Sequence, residues 1–148
     1  MNKRTLINKE KKKILEAIRC GSFSKINNKQ TEKRLKWLEE NIDVVSEKSL
    51  VRKAYVLLLI KKMEIDPKEV PVIFESPTKI TWHSYNWCPT LEACKELRID
   101  TREICKCGWE ESVKAFVKRI DPRLTFNRNY LNLRPYGEYC EETIELME

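Results

Sequence analysis

The sequence contains little glycine and histidine and has no long apolar run. Three of its 148 residues are glycine, so glycine-rich ligand-binding loops are absent, and only one residue, His83, is histidine. The longest uncharged apolar stretch, residues 54–60, is far shorter than the roughly 20 residues that a membrane-spanning helix requires. No apolar segment of the secretory type follows the basic N-terminus. We therefore expect a soluble, cytoplasmic protein without membrane contact.

The remaining composition is that of a folded domain. Hydrophobic residues make up 41% and charged residues 35% of the chain. This is too apolar for a disordered protein and sufficient for the core of one domain. Lysine and glutamate are abundant, whereas glutamine occurs once. Such a bias is typical of hyperthermophilic proteins, whose intracellular members can carry disulfides.

Positive charge is concentrated at the front of the chain. Residues 1–62 hold 17 Lys and Arg against 7 Asp and Glu, and residues 63–148 hold 12 against 16. The basic part could bind nucleic acid, an anionic lipid surface or the acidic part of its own chain. Its lysines are interleaved with glutamates, as is typical of solvated helix faces, and aromatic residues that would stack on bases are sparse. Nucleic acid is therefore the least favoured partner.

Apolar residues with helical spacing occupy the first third of the chain. The pattern predicts a helix over residues 9–19 and a second helix that ends near residue 40. A third helix begins at Ser46 or Ser49, continues to about residue 63 and is apolar almost all round. We expect this third helix to be the most buried one.

The pattern changes after residue 79. Pro89 and Asp100 mark the starts of two helices, and the second of these is predicted to run to about residue 120. β-Branched, aromatic or alternating residues predict three strands, over residues 79–85, 124–133 and 139–146.

These elements predict an α+β fold. An N-terminal helical layer or arm precedes a small antiparallel sheet with two helices. Residues 1–66 form the basic helical segment, and residues 67–148 form a cysteine-rich α+β segment. We expect the two segments to make one compact unit, and the sequence leaves its oligomeric state open.

Five of the six cysteines follow residue 87. Clustered cysteines in a cytosolic protein more often bind metal or catalyse than form a disulfide frame. Their spacing matches neither zinc fingers nor ferredoxin-type clusters, but soft ligands in this number still allow zinc or an iron–sulfur centre at Cys88, Cys105 and Cys140. A disulfide from Cys88 or Cys105 to Cys140 and plain burial of the thiols are the structural alternatives.

Cys88 is also a candidate nucleophile. It precedes a helix whose N-terminus would favour the thiolate. His83 lies five residues upstream and would be its general base if the chain bends near Asn86. Without that bend, residues five apart on a strand point to opposite faces, and His83 would be an ordinary edge-strand or core residue.

Three stretches carry a resemblance to a known family. They are WCPTLEAC at residues 87–94, DTREIC at 100–105 and YCEETI at 139–144. They resemble the L-2-amino-thiazoline-4-carboxylic acid hydrolase family and, more distantly, are similar to the vinyl-4-reductase-like small-molecule-binding domain. The resemblance implies an α+β domain in which Cys88, Cys105 and Cys140 line one pocket. For chemistry, it implies hydrolytic opening of a cyclic amidine C–N bond.

The sequence therefore leaves three functions open. The favoured one is a cysteine-lined domain that binds a small ligand or a metal. The first alternative is a small hydrolase with Cys88 as nucleophile or metal ligand and His83 as base. The second is nucleic-acid binding through the basic N-terminal helices. For ligand or metal binding and for hydrolysis, the residues expected to contact the ligand are Cys105, Cys140, Asp100, Arg102 and Glu141.

Overall fold

The described part of the chain, residues 2–148 of a computed structural model, combines helices with one antiparallel sheet. The sheet has the strand order β1-β2-β4-β3, and each neighbouring pair is antiparallel. The predicted α+β class is confirmed. The strands are β1 (Val72–Ser76), β2 (Lys79–Ser84), β3 (Leu124–Asn129) and β4 (Cys140–Leu146), and the helices are α1 (Lys3–Cys20), α2 (Ser24–Asn41), α3 (Leu50–Tyr55), α4 (Pro89–Leu97), α5 (Thr101–Gly108) and α6 (Glu110–Ile120).

The first two helices are both longer than the sequence predicted. The side chain of Asn2 accepts a hydrogen bond from the Thr5 amide and so starts α1 early. Gly21, with φ at 71°, ends the helix in the left-handed conformation that glycine adopts without strain. A short turn then leads into α2. Because α1 packs on α4 while α2 packs on α6, the two helices diverge from this turn.

The third helix has two parts. Ser49 is its N-cap, and the hydroxyl accepts a hydrogen bond from the Arg52 amide. After Tyr55 the helix continues as a π-helix over Val56–Lys62. Its leucines are fully or almost fully buried, so the prediction of a buried apolar helix is confirmed. The leucines are Leu57, Leu58 and Leu59.

One face of the sheet forms the main core. Trp82, Phe126 and Ile144 lie on that face in three adjacent strands and are completely buried. They pack with the π-helical part of the third helix and with α6. Side chains on both sides of residue 66 therefore share this core. Strand β1 was not predicted, because it is a short and largely exposed edge strand between two prolines.

The helix predicted from Asp100 to residue 120 is in fact two helices. α5 ends at Gly108 and α6 begins at Glu110, so three helices rather than two follow β2. A Cβ atom at Gly108 would lie 3.2 Å from the Phe23 ring. The glycine thus allows the start of α2 to approach the end of α5 closely.

A second, smaller core joins α1 to α4 and α5. It contains Ile14 and Cys94, both completely buried, together with Ile104. At its edge, buried Glu10 accepts a hydrogen bond from the Thr90 hydroxyl.

Across residues 2–148 we find no helix with both the length and the apolarity that spanning a bilayer demands.

Candidate functional site

The structure brings cysteines that are distant in sequence close together. Cys88 caps α4, Cys94 lies within α4, Cys105 lies in α5 and Cys140 begins β4. Burial is the main cause that raises the pKa of Cys88 and Cys105. A smaller contribution would come from neighbouring thiols in their ionised form, from Cys140 on Cys88 and from Cys88, Cys140 and Cys94 on Cys105, because these groups lie near one another. We call these four residues the thiol cluster. Three of them, all except Cys94, are partly exposed, so the cluster reaches the protein surface.

Burial keeps most of these thiols protonated. It raises the pKa of both Cys94 and Cys105 to about 12. Burial also raises the pKa of Cys88, although the backbone amides of Leu91 and Thr90 and the charge of Arg134 act in the opposite direction. A nucleophilic cysteine needs a lowered pKa. The helix N-terminus therefore does not make Cys88 the thiolate that the sequence suggested.

The thiols are neither paired nor arranged around a metal position. All six cysteines are free in this structure, so the alternative disulfides to Cys140 are not formed. Among residues 2–148, no group of three or more His, Cys, Asp or Glu side chains is arranged to hold a metal ion. The geometry gives no support to the predicted zinc or iron–sulfur centre at Cys88, Cys105 and Cys140.

Arg134 fixes one side of the thiol cluster. Its Nη1 atom donates a 2.7 Å hydrogen bond to the carbonyl oxygen of Asn86, two residues before Cys88. Its Nε atom donates to the sulfur of Cys140 over 3.4 Å. The guanidinium thus connects the loop before α4 with the start of β4 and places a positive charge beside two thiols.

Arg128 supplies a second positive charge from the inner face of the sheet. It follows Leu124 and Phe126 on that face of β3, and its charge acts on Cys105. Its Nη2 atom lies 3.3 Å from Glu142, whose other oxygen accepts a 3.0 Å hydrogen bond from Ser84. The Nη1 atom of Arg128 is buried and has no hydrogen-bond partner in the described chain.

Arg34, on α2, places a further positive charge near Arg128. Burial and the like charge of Arg128 lower the pKa of Arg34 to about 10. Its Nε atom is also buried without a partner among residues 2–148. Buried donors normally find an acceptor. Two neighbouring arginines that each retain a free donor are therefore an unusual arrangement.

His83 lies on the opposite face of the sheet, away from Cys140. Its Nε2 atom is 2.9 Å from Glu141, and its ring stacks on Tyr139 with 3.7 Å between the ring centres. Asn129 donates a second hydrogen bond to Glu141, and these two contacts lower the pKa of that carboxyl. The structure thus pairs His83 with Glu141 instead of Cys88. The strand stays regular through Ser84, which lies opposite Cys140. Because side chains alternate along it, His83 points to the face of the sheet away from Cys140.

The remaining predicted ligand residues stabilise a helix start. Asp100 caps α5 by accepting from the Arg102 amide, and its carboxylate also accepts from the Arg102 guanidinium and the Tyr136 hydroxyl. These hydrogen bonds, first of all those from Arg102, lower the pKa of Asp100 to about 2. Asp100 is close enough to raise the pKa of Cys94, but its hydrogen-bonding oxygens are occupied by protein donors.

The sequence patterns did not indicate Arg34, Arg128 and Arg134 as site residues. Arg128 was detectable in principle, because Leu124, Phe126 and Arg128 follow one another at every second position, so a charged residue interrupts the apolar face of an alternating strand. Arg134 gives no such signal, since only the folded loop brings it to Asn86 and Cys140. Arg34 lies within a basic helix whose other charges conceal it.

A separate groove of about 290 Å³ opens between α1 and α2. It is lined mainly by polar and charged side chains, among them five lysines and one glutamate. The lysines are Lys9 and Lys13 from α1 and Lys25, Lys29 and Lys33 from α2, and the glutamate is Glu16.

No family model, curated protein or solved structure matches this chain significantly. The functions proposed below are therefore supported by the geometry and chemistry of the chain itself.

Proposed function

We propose that this protein binds a small organic anion, of the carboxylate class, at the thiol cluster between Arg128 and Arg134. The observation that carries the proposal is the buried Nη1 atom of Arg128, which has no partner in the described chain. An unpaired buried donor on a charged group costs free energy, and an anion that enters the cluster removes that cost.

The surroundings suit a carboxylate. Arginine donors match the two oxygens of a carboxylate in a planar, bidentate geometry. Arg134 is held in place by Asn86, so little side-chain entropy would be lost on binding. The protonated thiols of Cys88 and Cys105 behave as small, polarisable apolar groups. They would contact the uncharged part of the ligand without repelling its negative charge.

Hydrolysis stays a separate prediction. The resemblance to the L-2-amino-thiazoline-4-carboxylic acid hydrolase family names a ligand that is itself a carboxylate attached to a cyclic amidine. The raised pKa of Cys88 disfavours its thiolate as nucleophile. We therefore propose binding as the function and use this compound as the probe that also reports turnover.

Calorimetric titration with L-2-amino-thiazoline-4-carboxylic acid tests the proposal. We expect binding of the acid, and binding at least about tenfold weaker for 2-amino-thiazoline, which lacks the carboxylate, because the loss of one charged hydrogen-bonding pair costs about 1.5–3 kcal/mol. Chromatography of the same samples detects any ring-opened product. Its absence together with tight binding supports binding without hydrolysis.

Two arginine variants locate the binding site. Arg134→Gln should weaken binding of the acid by about tenfold or more. Arg123→Gln is the matched control, because Arg123 is a surface residue paired with Asp121 and makes no contact with the thiol cluster. Equal binding of the acid and the uncharged analogue, or no binding of the acid at about 1 mM, would contradict the proposal.

A further inference from the structure

The groove between α1 and α2 carries a charge that the rest of the fold does not neutralise. Of its five lysines, only Lys13 lies within salt-bridge distance of an acidic residue in the described chain, at 3.3 Å from Glu10. Ala17, Cys20 and Ile26 also line the groove, so its lining combines the lysines with a few apolar side chains. This arrangement concentrates cationic groups along a concave surface.

Most acidic residues of the two helices are not among those that line the groove. Glu10 is buried against α4, where it accepts from Thr90. Glu39 pairs with Arg119 of α6. Only Glu16 lines the groove. Five lysines and one of the five glutamates on the two helices therefore line the groove, so its lining is mainly positive although the sequence interleaves the two signs.

The lysines are arranged in two rows. Lys9 and Lys13 lie one helical turn apart on α1, and Lys25, Lys29 and Lys33 lie one turn apart on α2. Successive members of a row are therefore about 6 Å apart along each helix axis. Two rows of regularly spaced charges across a groove can contact successive phosphates of an extended chain, whereas one compact anion would use only part of them.

We infer that this groove binds the sugar–phosphate backbone of a nucleic acid. Proteins that bind single strands without sequence preference combine a positively charged groove that follows the backbone with aromatic side chains that stack on bases. This groove provides the first of these elements and has no aromatic lining residue, so the contacts inferred are those to the phosphates. An anionic membrane fits less well, because interfacial helices present a broad apolar face with large side chains to the bilayer. This groove is concave, and its apolar lining residues are Ala17, Cys20 and Ile26, of which only Ile26 has a large side chain. The site lies on α1 and α2 and does not depend on the thiol cluster.

Fluorescence anisotropy with a labelled oligo-uridine of about 20 nucleotides tests this inference. We expect binding at about 50 mM salt that weakens steeply as salt increases, because phosphate contacts release counterions. The groove variant changes Lys9, Lys25, Lys29 and Lys33 to glutamine. Its affinity should be at least tenfold lower, and the slope of log affinity against log salt should decrease by about 3, at about 0.7 per lost contact.

The matched control changes four exposed lysines outside the groove, Lys12, Lys36, Lys48 and Lys118, to glutamine. It has the same net charge as the groove variant and should bind within about twofold of the parent protein. Equal losses in both variants would show a non-specific charge effect and overturn the inference. Absence of oligonucleotide binding, alone or together with binding to phosphatidylserine vesicles, would also overturn it. Circular dichroism verifies that both variants are folded.

Discussion

At the scale of single residues, burial decides which groups carry charge. Cys94 and Cys105 stay protonated at neutral pH because desolvation raises their pKa to about 12. Arg128 stays charged in the same region, next to Glu142, with side-chain exposures of 12% and 11%. The region therefore combines neutral sulfurs with fixed positive charge. That combination favours an anion as the ligand and disfavours a thiolate nucleophile at Cys88.

The raised thiol pKa predicts a loss of stability at alkaline pH. The ordinary pKa is 9.0 and that of Cys94 in the folded protein is about 12. Between these values the unfolded chain has lost the thiol proton while the folded chain retains it. The free energy of unfolding should therefore fall as pH rises through this window, by about 1.4 kcal/mol per pH unit for one thiol.

Urea unfolding between about pH 9 and 10 measures this effect, because in this range the thiols of the unfolded chain lose their protons before most of its tyrosines do. Cys94→Ala should be less stable at neutral pH, because it leaves a cavity, but its stability should depend less on pH. Cys20→Ala is the control, since Cys20 is exposed. Parallel pH profiles for the parent protein and Cys94→Ala would show that this thiol is not the origin of the loss.

At the scale of secondary structure, local signals predicted several helix ends but not the early starts of α1 and α2. Gly21 ends α1, Cys88 and Pro89 start α4, and Asp121 before Pro122 ends α6, as expected from the conformational limits of glycine and proline. The break between α5 and α6 was missed even though Gly108 marks it. Gly108 lies against Phe23, and a contact with a residue so distant in sequence gives no local pattern.

The candidate site was predictable only in part, for a related reason. The resemblance predicted that Cys88, Cys105 and Cys140 line one pocket, and the spacing of the cysteines could not predict a common location for them. His83 was expected beside Cys88 only if the strand bends. Because side chains alternate along a regular strand, His83 contacts Glu141 instead, which lies directly opposite it on β4. Pairing between strands depends on register, which a single sequence specifies weakly.

The start of the third helix gives a prediction at this scale. The sequence left Ser46 and Ser49 as alternative caps, and only the side-chain oxygen of Ser49 accepts a hydrogen bond, from the Arg52 amide. Ser49→Ala should lower the free energy of unfolding by about 1 kcal/mol, the typical value of an N-cap. Ser46→Ala, at an exposed position, should change it by a few tenths at most. Chemical denaturation of both variants compares them, and equal effects would contradict this assignment of the cap.

At the scale of the whole molecule, the chain is held together by two cores that serve different helices. The main core joins the sheet to the third helix and α6, whereas the smaller one joins α1 to α4 and α5. The two proposed binding regions follow this division. The groove lies where α1 and α2 diverge, and the thiol cluster lies where α4 and α5 meet the end of the sheet.

The main core predicts that residues 67–148 do not fold alone. In the isolated segment, the inner face of the sheet around Trp82 and Phe126 would lose Leu57, Leu58 and Tyr55, which are buried against it in the full chain. Exposing several large apolar side chains costs about 1.5–3 kcal/mol each, which together exceed the margin of a small domain. We expect weak near-ultraviolet circular dichroism and no cooperative thermal transition.

A longer fragment, residues 23–148, is the control that separates loss of the main core from shortening as such. It lacks α1 but retains every residue of the main core, whose first buried member is Leu38. It should therefore unfold cooperatively at a reduced temperature, because only the smaller core loses the side chains that α1 contributes to it. A cooperative transition in residues 67–148 would show instead that the sheet and its three following helices form an independent domain, and that the basic helices are an arm attached to it.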